Sequence, residues 1–134
     1  MSAIVSTYRQ LDVTARVADA SPKDLIQMLF EGASGKLQRA RGCIQHGDIA
    51  GRSEALSGAS EIIDGLRNAL DLERGGALAE NLDELYSYMI TRLFRANVDD
   101  DENGVLEVLS LLNTVAEAWA ALDAEVTPDA SANA

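Results

Sequence analysis

The chain has 134 residues, a formal net charge of −11, 47 % hydrophobic but only 4 % aromatic residues, two prolines and one cysteine. That length makes one domain able to bury most of its apolar surface without metal or disulfide, and the lone Cys43 excludes an internal disulfide and fits a reducing compartment. Nine of the 22 acids and none of the eleven bases lie from Ala96 onward, a surface that repels nucleic acid and anionic lipid. The plain reading of that acidic quarter is a solvated face; a docking surface for a basic partner is the sharper one.

The start, MSAIVSTYRQLD, has no basic opening and no apolar run of signal-peptide length, and nothing later is expected to approach a membrane span. A soluble cytoplasmic protein is expected. Residues 1–20 form a separate short element with apolar Ile4, Val5, Tyr8, Leu11 and Val13. A turn or two of helix there would be marginal alone, so the segment must dock on the body or stay mobile.

From Ala20 to Asp48 the sequence predicts a long helix. Ser21 is placed as N-cap, Pro22 at the first helical position and Asp24 in the first turn, while Gly47 suits a left-handed C-cap and Asp48 can cap the next helix. Ile26, Leu29, Ala33, Leu37, Ala40 and Ile44 form a core stripe. A second stripe beside it reads Leu25, Met28, Gly32, Gly35, Arg39 and Gly42. Glycine inside a helix costs about 0.5–1 kcal/mol relative to alanine, and close approach by another segment is one reason to keep it.

A second helix, about Ile49 to Leu72, puts Ala55, Leu56, Ala59, Ile62, Ile63, Leu66 and Leu70 on one face, with Gly58 and Gly65 assigned to its polar side. Gly75-Gly76 breaks the chain. A third helix, about Leu78 to Val98, carries Leu78, Leu82, Leu85, Met89 and Leu93, with a shoulder of Tyr86, Ile90 and Phe94 that widens the apolar arc. A fourth, about Asn103 to Ala124, is wider still, from Val105 to Trp119 and Leu122. It has no base, so packing must hold it. The tail after Ala124 offers little to bury and is expected to be disordered.

These elements predict an all-α, antiparallel up-down four-helix bundle over residues 21–124, with a capping segment at 1–20 and an acidic tail at 125–134. Catalytic chemistry finds no support. One histidine, His46, with Cys43 three before it, makes neither a triad nor a metal set. The run Asp99 to Gly104 mimics the start of a calcium loop, but the twelfth place is Ser110, so it reads as a turn capping the fourth helix. No enzyme activity, cofactor or metal is expected.

What remains is surplus apolar surface, which marks a partner site. Leu25, Met28, Gly32 and Gly35 on the first helix, Tyr86, Ile90 and Phe94 on the third, and Tyr8 and Leu11 in the leading segment are the candidate partner-binding residues.

Ala20-Ser21-Pro22 followed by Leu25-Ile26-x-Met28-Leu29-Phe30-Glu31-Gly32-Ala33 resembles the first-helix signature of the FliS family of flagellin-specific export chaperones. Gly47-Asp48, Leu70-Asp71 with Gly75-Gly76, Asn81-Leu82-x-x-Leu85-Tyr86-x-Tyr88-Met89 and a late Trp119 follow in that family's order and spacing, over roughly residues 8 to 122. Phe30 stands where many members have Tyr, and Ser34 where an aliphatic is common. The resemblance implies a cytoplasmic bundle that binds the disordered C-terminal segment of flagellin, prevents premature polymerisation and delivers it to the flagellar type III export gate. It also implies a leading segment that covers part of the client groove until displaced. No nucleic acid or membrane insertion is expected, and the protein would be a monomer or homodimer. The alternative is a bundle holding a small apolar ligand or a metal in its core.

Overall fold

The computed structural model describes residues 21–133, so the leading segment, with Tyr8 and Leu11, lies outside the described residues. Four helices follow in order: α1 (Pro22–His46), α2 (Ile49–Asn68), α3 (Gly76–Asp99) and α4 (Glu102–Asn133). No strand occurs among the described residues. The helices pack around a ring in chain order, α1 beside α2 and α4, and α3 beside α2 and α4. Side-chain pairs fix the directions. Arg52 near the start of α2 bonds Asn97 and Asp100 at the end of α3, and Arg67 near the end of α2 bonds Asp83 near the start of α3. Arg41 and Gln45 at the end of α1 both reach Glu102 at the start of α4. Neighbours therefore run antiparallel, and the expected all-α bundle is observed.

The helix ends follow local chemistry. Ser21 Oγ accepts from the Asp24 N–H at 3.2 Å and the Asp24 carboxylate accepts from the Ser21 N–H at 3.3 Å, a reciprocal capping box ahead of Pro22. Gly47 ends α1 at φ 71°, the left-handed conformation glycine adopts without a Cβ clash. Asp48 Oδ1 accepts from the Gly51 N–H at 2.9 Å and caps α2. Asp101 does the same for α4, accepting from the Asn103 N–H at 3.0 Å, as the capping reading of the acidic run requires.

Two boundaries differ from the expected ones. α2 stops at Asn68 rather than Leu72, because Asp71 organises a turn: its carbonyl accepts from the Gly75 N–H at 2.7 Å and its side chain from the Arg74 N–H at 3.1 Å. The backbone of α4 stays helical to Asn133, past Ala124, where an unstructured tail was expected. Alanines 124, 130 and 132 favour that continuation and Pro128 opposes it.

The core runs the length of the ring. Leu29, Leu37, Ile62, Ile63, Met89, Leu93, Val105, Val108 and Leu112 are fully buried, each contributing about 1.5–3 kcal/mol relative to exposure. Three expectations about faces are revised. Gly65 is buried and Gly58 is covered by the Lys36 stem, so neither lies on a solvent side of α2. Close α1–α2 packing is what brings Lys36 across. Leu78 is 64 % exposed rather than core, because it sits at the first turn of α3 beyond the point where α2 ends. The stretch Glu102–Leu122, with hydropathy 1.4, is also long and apolar enough to cross a membrane by length and composition, which the sequence reading had denied. Its Val105, Val108 and Leu112 are core residues of the bundle, and such a helix carries the same pattern.

Candidate functional site

At the end of the bundle where α1 and α3 begin and α2 stops, α4 continues past its neighbours. The four helices leave an apolar groove of about 380 Å³ there. Its inner end is formed by buried Phe30, Leu66 and Tyr86, and half-buried Ile26, Leu70, Leu82, Val115 and Trp119 make its walls. Leu78 and Leu122 stand exposed on its rim. The groove exists because the Asp71 turn takes the chain off the α2 axis before the apolar stripes of α3 and α4 have ended.

Two hydroxyls line this space. The Thr114 hydroxyl donates to the Ser110 carbonyl one turn back at 3.0 Å and is satisfied. Tyr86 is 3 % exposed, and no hydrogen bond reaches its hydroxyl among the described residues. Burial pushes its phenol up to about 12, since the charged form would have to sit in apolar surroundings. The indole N–H of Trp119 belongs to a half-buried side chain.

A second depression of about 410 Å³ runs along the α1–α4 seam, lined by Gln27, Glu31, Ser34, Gly35, Asn113 and Ala116. Phe30 borders both spaces. A Cβ on Gly35 would meet nothing within 4 Å, so that wall is open.

The candidate residues taken from the sequence do not gather into one groove. Leu25 and Met28 are buried in the core cluster, Gly32 is half-buried, and Gly35 opens onto the α1–α4 seam. Tyr86 lies in the end groove. Ile90 is half-buried and Phe94 is 71 % exposed. By helical spacing both fall on the side of α3 that carries Asp83 and Asn97, the residues bonded to α2. α1 and α3 face each other across the ring, so a stripe on each cannot wall a shared cleft along the bundle. The groove residues Ile26, Leu66, Leu70, Leu82 and Trp119 were read as core. Their spacing is that of a core, and the early stop of α2 is what opens a groove beside them.

The other end of the bundle is polar. Arg92 holds Asp101 and Glu107, each at 3.0 Å, and the Tyr88 hydroxyl donates to Glu107. The Arg92 bond keeps Asp101 below the usual carboxylate range, and the bonds from Tyr88 and Arg92 do so for Glu107. The Glu107 bond in turn raises the Tyr88 phenol. Arg52 pairs with Asp100 at 2.6 Å and Arg41 with Glu102 at 3.4 Å. Asp100, Asp101, Glu102 and Glu107 of the acid-only quarter thus each have an arginine partner on another helix, which revises the picture of a purely solvated face. These carboxylates tie helices together rather than framing a reaction. No group of three His, Cys, Asp or Glu side chains placed to hold a metal occurs among the described residues.

An apolar groove at the bundle end, on a chain carrying the Ser-Pro cap and the late tryptophan, invites comparison with known proteins. A family model described as "Flagellar protein FliS" matches residues 4–126. The chain belongs to the FliS family. It is 47 % identical over 128 residues, 95 % of this chain and 92 % of the relative, to the protein named flagellar secretion chaperone FliS of Salmonella typhimurium. It is 46 % identical to flagellar secretion chaperone FliSB of Pseudomonas aeruginosa, over 84 % of this chain and 89 % of the relative. With flagellar secretion chaperone FliS of Escherichia coli it shares 42 % identity over 84 % and 83 % of the two chains. The residues that line the groove, from Ile26 to Leu122, all lie within the stretch that the FliS family model matches.

Proposed function

We propose that this protein is a flagellar export chaperone that binds the disordered C-terminal segment of flagellin, holds it from premature polymerisation and hands it to the flagellar type III export apparatus. Membership of the FliS family, whose relatives are named flagellar secretion chaperones, supports the chaperone role. The observation that carries the binding reading is the end groove, apolar over most of its lining and open at a rim of exposed leucines. An apolar stripe of a client helix can be desolvated there, and a segment that orders only on binding gains most of its affinity in this way. Catalysis is no part of this reading. The protein works in the cytoplasm, as monomer or homodimer, before the client leaves the cell.

Trp119 is the single tryptophan and lines the groove, so it reports occupancy directly. Titrating the protein with a flagellin C-terminal segment is expected to shift Trp119 emission to shorter wavelength with saturable, one-to-one binding. An unchanged spectrum together with no heat of binding would overturn the reading. Parallel assays for bound metal and lipid test the alternative of a small ligand held by the bundle.

A further inference from the structure

Tyr86 brings a buried phenol to the lining of a groove whose other side chains, Phe30, Leu66, Leu82, Val115 and Trp119 among them, are mostly apolar. A buried polar group without a partner destabilises the fold that contains it, and phenylalanine would fill the same space without that penalty. Thr114, the other hydroxyl in the groove, returns its proton to its own helix, and the Trp119 side chain is exposed enough to meet water. Tyr86 has neither outlet among the described residues. We infer that the Tyr86 hydroxyl is a specificity-determining donor, reserved for a hydrogen-bond acceptor on the apolar face of the bound flagellin segment. The acceptor is an Asn or Gln carbonyl or a Ser or Thr hydroxyl, set among the aliphatic residues that fill the groove.

This inference rests on flagellin being the client, and it adds how the groove chooses its register. Apolar surface alone discriminates weakly between neighbouring registers of a client helix. A site built around a buried donor strongly rejects a register that leaves it unpaired. The raised phenol supports the geometry, because the group stays protonated and a donor throughout the working pH range.

The test is a double-substitution cycle with the flagellin C-terminal segment as probe. Tyr86→Phe is expected to melt no lower than the wild type and to bind the segment about tenfold more weakly. Replacing each Asn, Gln, Ser and Thr of the segment by Ala in turn should reveal one position that weakens binding to the wild type to a similar degree. That same replacement should have no further effect against the Tyr86→Phe variant. Unchanged affinity of Tyr86→Phe, or effects that add at every client position, overturns the inference while leaving flagellin as client. Failure of the wild type to bind the segment overturns both. A large fall in the melting temperature of Tyr86→Phe also overturns it, since the hydroxyl would then be supporting the fold.

Discussion

Gly35 and Gly104 are both helical, yet an added methyl group would meet opposite surroundings at the two. Around Gly35 there is nothing within 4 Å, whereas at Gly104 a Cβ would lie 2.9 Å from the Ala96 Cβ and 2.6 Å from the Arg92 guanidinium. Arg92 can swing aside; Ala96 is fixed to the α3 backbone. Gly35→Ala is therefore expected to raise stability by about 0.5–1 kcal/mol in denaturant unfolding, the usual helical gain. Gly104→Ala should lower it by about 1–2 kcal/mol, overpacking outweighing that gain. Equal effects at the two positions would mean that α3 and α4 do not approach as closely as they do here. Tyr86 makes a second residue-level case. Its folded phenol, at about 12, lies above the unfolded value near 10, so stability is unaffected by its titration below pH 10 and falls as pH rises from there toward 12, where the unfolded chain ionises first. Two pH units correspond to roughly 2–3 kcal/mol. Stability measured across pH 9–12 should fall less steeply in Tyr86→Phe, though Tyr88, also raised, leaves part of the slope in place.

The side-chain-capped and glycine-capped helix ends were legible in the sequence because their chemistry is local, whereas the C-termini of α2 and α4 were not. Ser21-Pro22, Gly47-Asp48 and Asp101 act within three residues of themselves, and each does what its residue type dictates. The ties between helices were not legible. Arg41 meets Glu102 and Arg92 meets Glu107 only after the bundle has formed, so α4 seemed to depend on packing alone. Arg92 is the centre of this network, joining α3 to both Asp101 and Glu107. Those two carboxylates are held below their ordinary values, so their contribution is present above the usual carboxylate range and is lost as pH falls through the lowered values. Arg92→Gln should therefore lower the melting temperature by a few degrees at pH 7, with the gap from wild type closing as the pH drops below about 4. A gap that persists at pH 2 would assign the loss to the packed stem of Arg92 rather than its charge.

At the scale of the whole molecule, the number and order of helices followed from stripe spacing, but the site depended on where each stripe stops having a partner. Leu78 and Leu122 were read as core because they continue core stripes; Leu78 is exposed because α2 ends early, and Leu122 because α4 continues past its neighbours. Phe94 was read as part of the same groove as Tyr86, yet it projects beside α2, two turns further along α3 and about 12 Å away by helical rise. The disordered client of the proposed function would reach both surfaces, since a fully extended segment covers the roughly 24 Å from Leu78 to Phe94 in about seven residues. The two surfaces can still be ranked. Leu78, Leu122 and Phe94 are all more than half exposed, so an aspartate at any of them should leave the thermal melt within a few degrees of wild type. Leu78→Asp and Leu122→Asp put a charge on the rim that the client must desolvate, and each is expected to weaken flagellin binding at least tenfold. Phe94→Asp should weaken it by no more than about threefold, because an open helix face leaves the charge in water. Calorimetric titration of the three variants reads the ranking directly. The reverse order, Phe94 dominant and the rim leucines neutral, would move the primary client site from the bundle end to the α2–α3 face.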